Sequence, residues 1–177
     1  MTDVFSKDGY SRLSIVIHWL TAIIVFSLFV THEAASGSTG RFIHDSVGAA
    51  AGLFLLWRVW YRVSQGTTHK PNQALIYNIA SQIVIWGFLV SLVLVVLTGY
   101  FLPWSLGAPV DFLGVIDIPS PIGGYPGLHQ VLEKIHDVAG TLFLPLLGLH
   151  LIGAAKHAFI DKDGIAQRMF KSITGGR

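Results

Sequence analysis

Four stretches of this sequence are apolar over lengths that reach across a lipid bilayer, and no other feature restricts its fold as much. A membrane-crossing helix needs roughly 20 mainly apolar residues. Inside lipid, only helices and closed barrels satisfy every backbone polar group. Leu13 to Val30 is almost wholly apolar, interrupted by His18, Trp19, Thr21 and Ser27, and a start near Ser11 completes the length. The predicted spans run over about 11–31, 41–62, 75–102 and 128–160. Hydrophobic residues make up 52% of the 177 residues and charged residues 12%, against roughly 25% charged in a soluble domain. Too few charges are present to cover a water-facing surface. The expectation is an all-α transmembrane four-helix bundle, one domain over residues 1–177.

Between the spans the character changes. Thr31 to Gly40 and Gln65 to Asn72 are small and polar and read as loops. Residues 103–127 hold Pro103, Pro109, Pro119, Pro121 and Pro126 among several glycines, a composition that cannot make a long helix. This outer loop reads as an ordered, proline-rich cap, with room for a short surface helix. The first apolar stretch is longer than a signal-peptide core and carries a histidine, so it reads as a retained span. Lys7, Arg12, Arg58, Arg62, Lys70, Lys156, Lys162, Arg168, Lys171 and Arg177 fall on one side, and only Arg41 and Lys134 on the other. By the positive-inside rule both termini are cytoplasmic and the cap lies outside.

The absence of cysteine excludes disulfides, thiolate metal sites, iron–sulfur clusters and covalent haem attachment. No basic tract of the nucleic-acid-binding kind is present. Of eight histidines, His32 and His69 fall in loops and His129 at the outer mouth of the fourth span. The other five lie on predicted helices, and ionisable residues within a membrane mark function by default. A lone histidine there is as well explained by a helix–helix hydrogen bond. Several at matched depths are not.

Depth supplies the match. His136 and His150 are fourteen residues apart, or about 21 Å of helix axis, on nearly one face. The second span enters from outside, so His44 lies near its outer end. The first enters from inside, so His18 lies near its inner end. His44 therefore pairs with His136 and His18 with His150. Two imidazoles at equal depth on facing helices suit bis-histidine haem iron. Zinc fits less well, because structural zinc takes four clustered ligands. Gly48 and Gly52 follow His44, and Gly140 follows His136, at helical spacing. They leave room either for a flat macrocycle or for close helix packing.

Three stretches carry a resemblance: YSRLSIVIHWL from Tyr10, FIHDSVGAAAGLFLLWRVWYR from Phe42, and KIHDVAGTLFLPLLGLHLIGAAKHAF from Lys134. Together they resemble the bacterial cytochrome b-561 family, grouped with the cytochrome b subunits of nickel hydrogenases. The resemblance implies two haems b with His18, His44, His136 and His150 as axial ligands. It also implies electron exchange with ubiquinone, and for some members oxidation of superoxide at the outer face. His157 corresponds to a position associated with quinone binding. It lies seven residues beyond His150, about 10 Å further inward, where an imidazole can bond a quinone carbonyl or serve as an interfacial anchor. Arg12 and Ser14 come from the adjacent end of the first span. At the outer face, Lys134 and Arg41 either steer an anion such as superoxide or are ordinary surface charges.

Two functions share every haem residue. One is a superoxide:quinone oxidoreductase of the bacterial inner membrane. The other is a quinone-linked cytochrome b relay serving a partner such as a hydrogenase or a periplasmic reductase. A small non-haem channel or transporter is the third class. A b-type visible spectrum separates it from both.

Overall fold

The computed structural model describes residues 12–64 and 74–170. Lys7, His69, Lys70, Lys171, Arg177 and the polar loop Gln65 to Asn72, which entered the expectations above, lie outside the described residues. Four helical spans form an all-α transmembrane bundle, each long and apolar enough to cross a membrane. Helix α1 is Arg12–Thr31. The second span, Thr39–Ser64, joins α2 (Thr39–Phe42), a π-helical turn (Ile43–Val47) and α3 (Gly48–Ser64). The Ser38 side chain caps it by accepting from the Arg41 N–H at 3.2 Å. Helix α4, Leu75–Ser105, carries on through Pro103 for one further half-turn. The fourth span, Pro126–Asp161, is built from α5 (Pro126–Thr141), α6 (Phe143–Ala155) and a second π-helical turn (Lys156–Asp161). It breaks at Leu142 because Pro145 has no N–H to offer the Thr141 carbonyl. A 3-10 turn, Ala166–Met169, follows.

The spans alternate in direction. Residues 32–38 and 106–125 lie at one end, the cap end. The opposite, terminal end collects the starts of α1 and α4 and the finishes of α3 and the fourth span. Contacts at both ends fix this arrangement. The Ser105 hydroxyl at the finish of α4 meets His129 Nδ1 at the start of α5, 2.9 Å away. Lys156 lies over the Tyr77 ring at 4.3 Å. Trp19 Nε1–H donates to the Met169 carbonyl at 3.0 Å.

Side-chain burial follows from the lipid surround. Val16, Ile23, Phe26 and Val30 recur every three to seven residues on α1 and all stay exposed. This is the stripe a bilayer solvates. The inward faces meet at Leu55, Leu92 and Val96, packed against Ile24, Leu28, Phe54 and Phe143. Lipid is as apolar as leucine, so close packing and hydrogen bonds must hold such helices together. Gly52 shows how. A Cβ there would stand 2.6 Å from the Tyr100 hydroxyl, and that hydroxyl donates to the Ala49 carbonyl at 2.6 Å.

The cap contains a two-stranded hairpin in place of a surface helix. Strands β1 (Val110–Phe112) and β2 (Ile116–Ile118) pair antiparallel. The turn closes with the Val115 N–H on the Phe112 carbonyl, 3.0 Å. Leu113 and Gly114 sit at φ 58° and 68°, the two positive values a type I′ turn demands. Leucine pays strain there. Asp111 offsets it by accepting from the Gly114 N–H at 2.6 Å and from the buried Ser46 hydroxyl at 2.7 Å. The hairpin is thereby tied to the π-helical turn that carries His44.

Candidate functional site

The bundle brings four intramembrane histidines together as two facing pairs. Towards the cap end, the rings of His44 and His136 have centroids 6.1 Å apart. Towards the terminal end, those of His18 and His150 are 6.3 Å apart. A metal–imidazole bond is about 2.0 Å and the ring centre lies about 1.1 Å beyond the nitrogen, so two imidazoles on opposite sides of one ion stand about 6 Å apart. Both pairs have that spacing. Their interplanar angles, 77° and 47°, are compatible with a shared axis because each ring can rotate about its own metal–nitrogen bond.

The cap-end pair has a well-defined outer shell. A carbonyl oxygen has a second lone pair to offer. In the final turn of α1 the Leu28 carbonyl, which also accepts from the Thr31 hydroxyl at 3.3 Å, accepts from His44 Nδ1 at 2.9 Å. His136 Nδ1 meets the Thr98 hydroxyl at 2.9 Å, and that hydroxyl donates to the Leu94 carbonyl at 2.6 Å. Thr98 Oγ1 is therefore the acceptor for His136. With both Nδ1 atoms engaged, each ring keeps Nε2 as its metal-binding nitrogen. The His136 ring lies beside Gly99 of α4, where a Cβ would meet its Cε1 at 3.5 Å, an ordinary contact.

The terminal-end pair is set among aromatic rings. Phe88 meets His150 edge-on at 6.0 Å and stacks obliquely on Phe143 at 5.6 Å. Trp19 meets His18 edge-on at 5.6 Å. Arg58 stands within electrostatic reach of His18.

The glycines divide between the two uses weighed above. Tyr100 fills the space at Gly52, and a Cβ at Gly48 would meet Leu28 at 3.6 Å, an ordinary contact, so both positions face helix packing. A Cβ at Gly140 would meet nothing within 4 Å, so open room lies one turn from His136. The donor set therefore fits haem: two imidazoles in each pair at the spacing one iron would need, with open room at Gly140 beside His136 and at Gly153 beside His150. It does not fit zinc, which would need further ligands. Among the described residues, the metal-type side chains that gather in a group of three are His157, Asp161 and Asp163, apart from both pairs.

The remaining predicted residues fall as follows. His157 lies in the second π-helical turn, with Nδ1 2.9 Å from Asp163 Oδ2 and 3.3 Å from Asp161 Oδ2. Arg12 and Ser14 stand in the first turn of α1, at the same end of the bundle. Arg41 is held in an ion pair with Asp45 at 2.9 Å. Lys134 is exposed on α5. His129 is a strut between α4 and α5, and His32 Nδ1 donates to the Phe29 carbonyl at the end of α1.

Sequence reasoning missed Thr98, the Leu28 carbonyl, Phe88, Asp161 and Asp163. It also missed both π-helical turns, which hold His44 and His157 and are a form common at functional sites. A lone threonine beside a glycine in an apolar span was the available signal for Thr98.

A family model described as prokaryotic cytochrome b561 matches residues 9–172. A curated protein of Escherichia coli (strain K12), cytochrome b561 homolog 2, is 27% identical over 173 residues. That match covers 93% of this chain and 92% of that protein.

Proposed function

Because the chain belongs to the prokaryotic cytochrome b561 family, whose members bind haem b and transfer electrons in the membrane, we propose that it holds two haems b and carries electrons between its two ends. His44 and His136 would ligate one haem, His18 and His150 the other. The observation that carries this reading is the spacing of the two pairs, 6.1 and 6.3 Å, at two depths of one bundle. Haem in these positions supplies one-electron transfer, tuned by its ligands and burial. The protein's part is to orient four imidazoles and to exclude water between the helices. In this reading the membrane is the bacterial inner membrane, and the positive-inside bias supports cytoplasmic termini with the cap outside.

At the terminal end the acceptor is ubiquinone. His157, seven residues past His150, would bond a quinone oxygen, with Arg12 and Ser14 contributing from α1. The donor enters at the cap end, and two readings differ there. Superoxide oxidation calls for an electropositive approach, which Arg41 and Lys134 would provide. Arg41, however, is paired with Asp45. The cap end also carries six carboxylates (Glu33, Asp45, Asp111, Asp117, Glu133, Asp137) against those two cations, a difference of four negative charges. That balance favours the second reading, a relay fed by a redox protein with a basic face.

A reduced-minus-oxidised spectrum with haem counting tests the first claim, and two b-type haems per chain are expected. Stopped-flow reduction then separates the donors. Reduction by a lysine-rich soluble cytochrome that slows steeply with added salt supports the relay. Near-diffusional reduction by superoxide alone supports the oxidase. A pigmentless protein from haem-replete cells refutes both.

A further inference from the structure

The fourth span ends in a way that α-helical continuation would not produce. Lys156–Asp161 forms a π-helical turn, and Lys162 at φ 51° then reverses the chain. The reversal brings Asp163 back towards His157. Asp163 is itself held, because its Oδ1 accepts the Ile165 N–H at 3.0 Å while Oδ2 accepts from His157 Nδ1 at 2.9 Å. Asp161 also faces that nitrogen, at 3.3 Å, but both of its oxygens serve Lys156, at 2.7 and 2.5 Å. Asp163 is therefore the closer partner and Asp161 the reserve. His157 is only 17% exposed at its side chain, and Asp163 is 33% exposed. The imidazole is thus the more covered of the two, and its carboxylate partner the more exposed.

We propose that Asp163, seconded by Asp161, is a positioning residue that holds His157 as the Nδ1–H tautomer with Nε2 turned to the bound quinone. This inference rests on the quinone reading above. A carboxylate on one imidazole nitrogen decides which nitrogen carries the proton and where the ring points. With Nδ1–H committed to Asp163, Nε2 is the atom that exchanges protons. Reduction of one quinone to quinol takes two electrons, delivered singly from the haem side, and two protons. One proton passes from Nε2–H of the protonated ring to the quinone oxygen that His157 bonds, and the second reaches the opposite oxygen from water. The ring is reprotonated at Nε2 from terminal-end water and keeps its Nδ1–H throughout.

The test uses the purified dihaem protein, pre-reduced and mixed with a short-chain ubiquinone. Asp163→Ala should lower the limiting rate of haem reoxidation about tenfold or more, the range typical of lost outer-shell partners. Half-saturating quinone and both haem midpoint potentials should stay unchanged. Asp163→Asn can keep its oxygen on the Ile165 N–H and so the turn, but it sets an amide NH2 donor against His157 Nδ1, favours the Nε2–H tautomer, and should be at least as slow as Asp163→Ala. If Asp163→Ala does not fold, Asp163→Asn carries the test, and a wild-type rate there overturns the proposal. In the reduced, diamagnetic protein labelled with 15N-histidine, NMR should find His157 protonated at Nδ1 and this preference lost in Asp163→Ala. A wild-type ring protonated only at Nε2 overturns the proposal independently of turnover.

His157→Ala separates the two levels of inference. A wild-type rate in His157→Ala removes the quinone role and this proposal with it. Slow reoxidation in His157→Ala with a wild-type rate in Asp163→Ala removes this proposal alone. If both are slow, the double variant should be no slower than His157→Ala, and additive losses would show that Asp163 acts elsewhere.

Discussion

Thr98 is the most informative single residue to change. Its hydroxyl accepts from His136 Nδ1 at 2.9 Å and donates to the Leu94 carbonyl at 2.6 Å. Thr98→Val keeps the side-chain shape and removes both bonds. The buried His136 N–H then faces a methyl group, which costs about 1–3 kcal/mol. At 1.4 kcal/mol per tenfold, that is about a 5- to 150-fold weaker hold on the haem that His136 is proposed to ligate. It overlaps the 10–100-fold range known for outer-shell losses. The ring also becomes a poorer electron donor, so the midpoint potential of that haem should rise. Haem transfer to an excess of a haem-scavenging globin measures the first effect, and a redox titration the second. Only the haem that depends on His44 and His136 should respond, and Thr98→Ser should behave nearly as wild type. An equal effect on both haems, or an effect confined to the haem of His18 and His150, would refute the reasoning.

Alanine substitutions should sort the ligands into pairs: His44→Ala and His136→Ala each lose one haem, His18→Ala and His150→Ala the other, read by haem per chain and spectral band shape. Loss of one haem by His18→Ala and His136→Ala together would show that the pairs are wrongly assigned. Gly52→Ala should destabilise the bundle by about 1–3 kcal/mol, because the new Cβ would lie 2.6 Å from the Tyr100 hydroxyl and 3.0 Å from its ring. Thermal unfolding in detergent measures this, and Gly52→Ala combined with Tyr100→Phe should cost less than the sum of the two changes. Ser46→Ala removes a bond that tethers the cap hairpin, so limited proteolysis within Val110–Ile118 should quicken.

Much of the architecture was written locally in the chain. Four apolar stretches of sufficient length dictate four spans, since lipid tolerates little else. The constant rise of a helix turned the positions of His18, His44, His136 and His150 into depths, and depth brought out the same couples that the folded bundle sets face to face. The proline-rich stretch 103–127 announced a break in helix, though a hairpin with two left-handed turn residues was not readable there. It depends on Asp111 finding Ser46, sixty-five positions away.

What tertiary structure alone decided are the partners of each ring. Hydropathy and spacing report which face of a helix is apolar, but not which neighbour that face meets or at what angle. Gly48, Gly52 and Gly140 look alike in sequence, yet Tyr100 and Leu28 occupy the space beside two of them and nothing occupies it beside the third. The Leu28 carbonyl serves His44 only because α1 ends beside the second span, and Thr98 serves His136 only because α4 crosses α5 at that height. Asp163 reaches His157 through a π-helical turn and a left-handed lysine. Such bonds are short-range and directional, whereas the patterns that marked the spans need only an average over many residues.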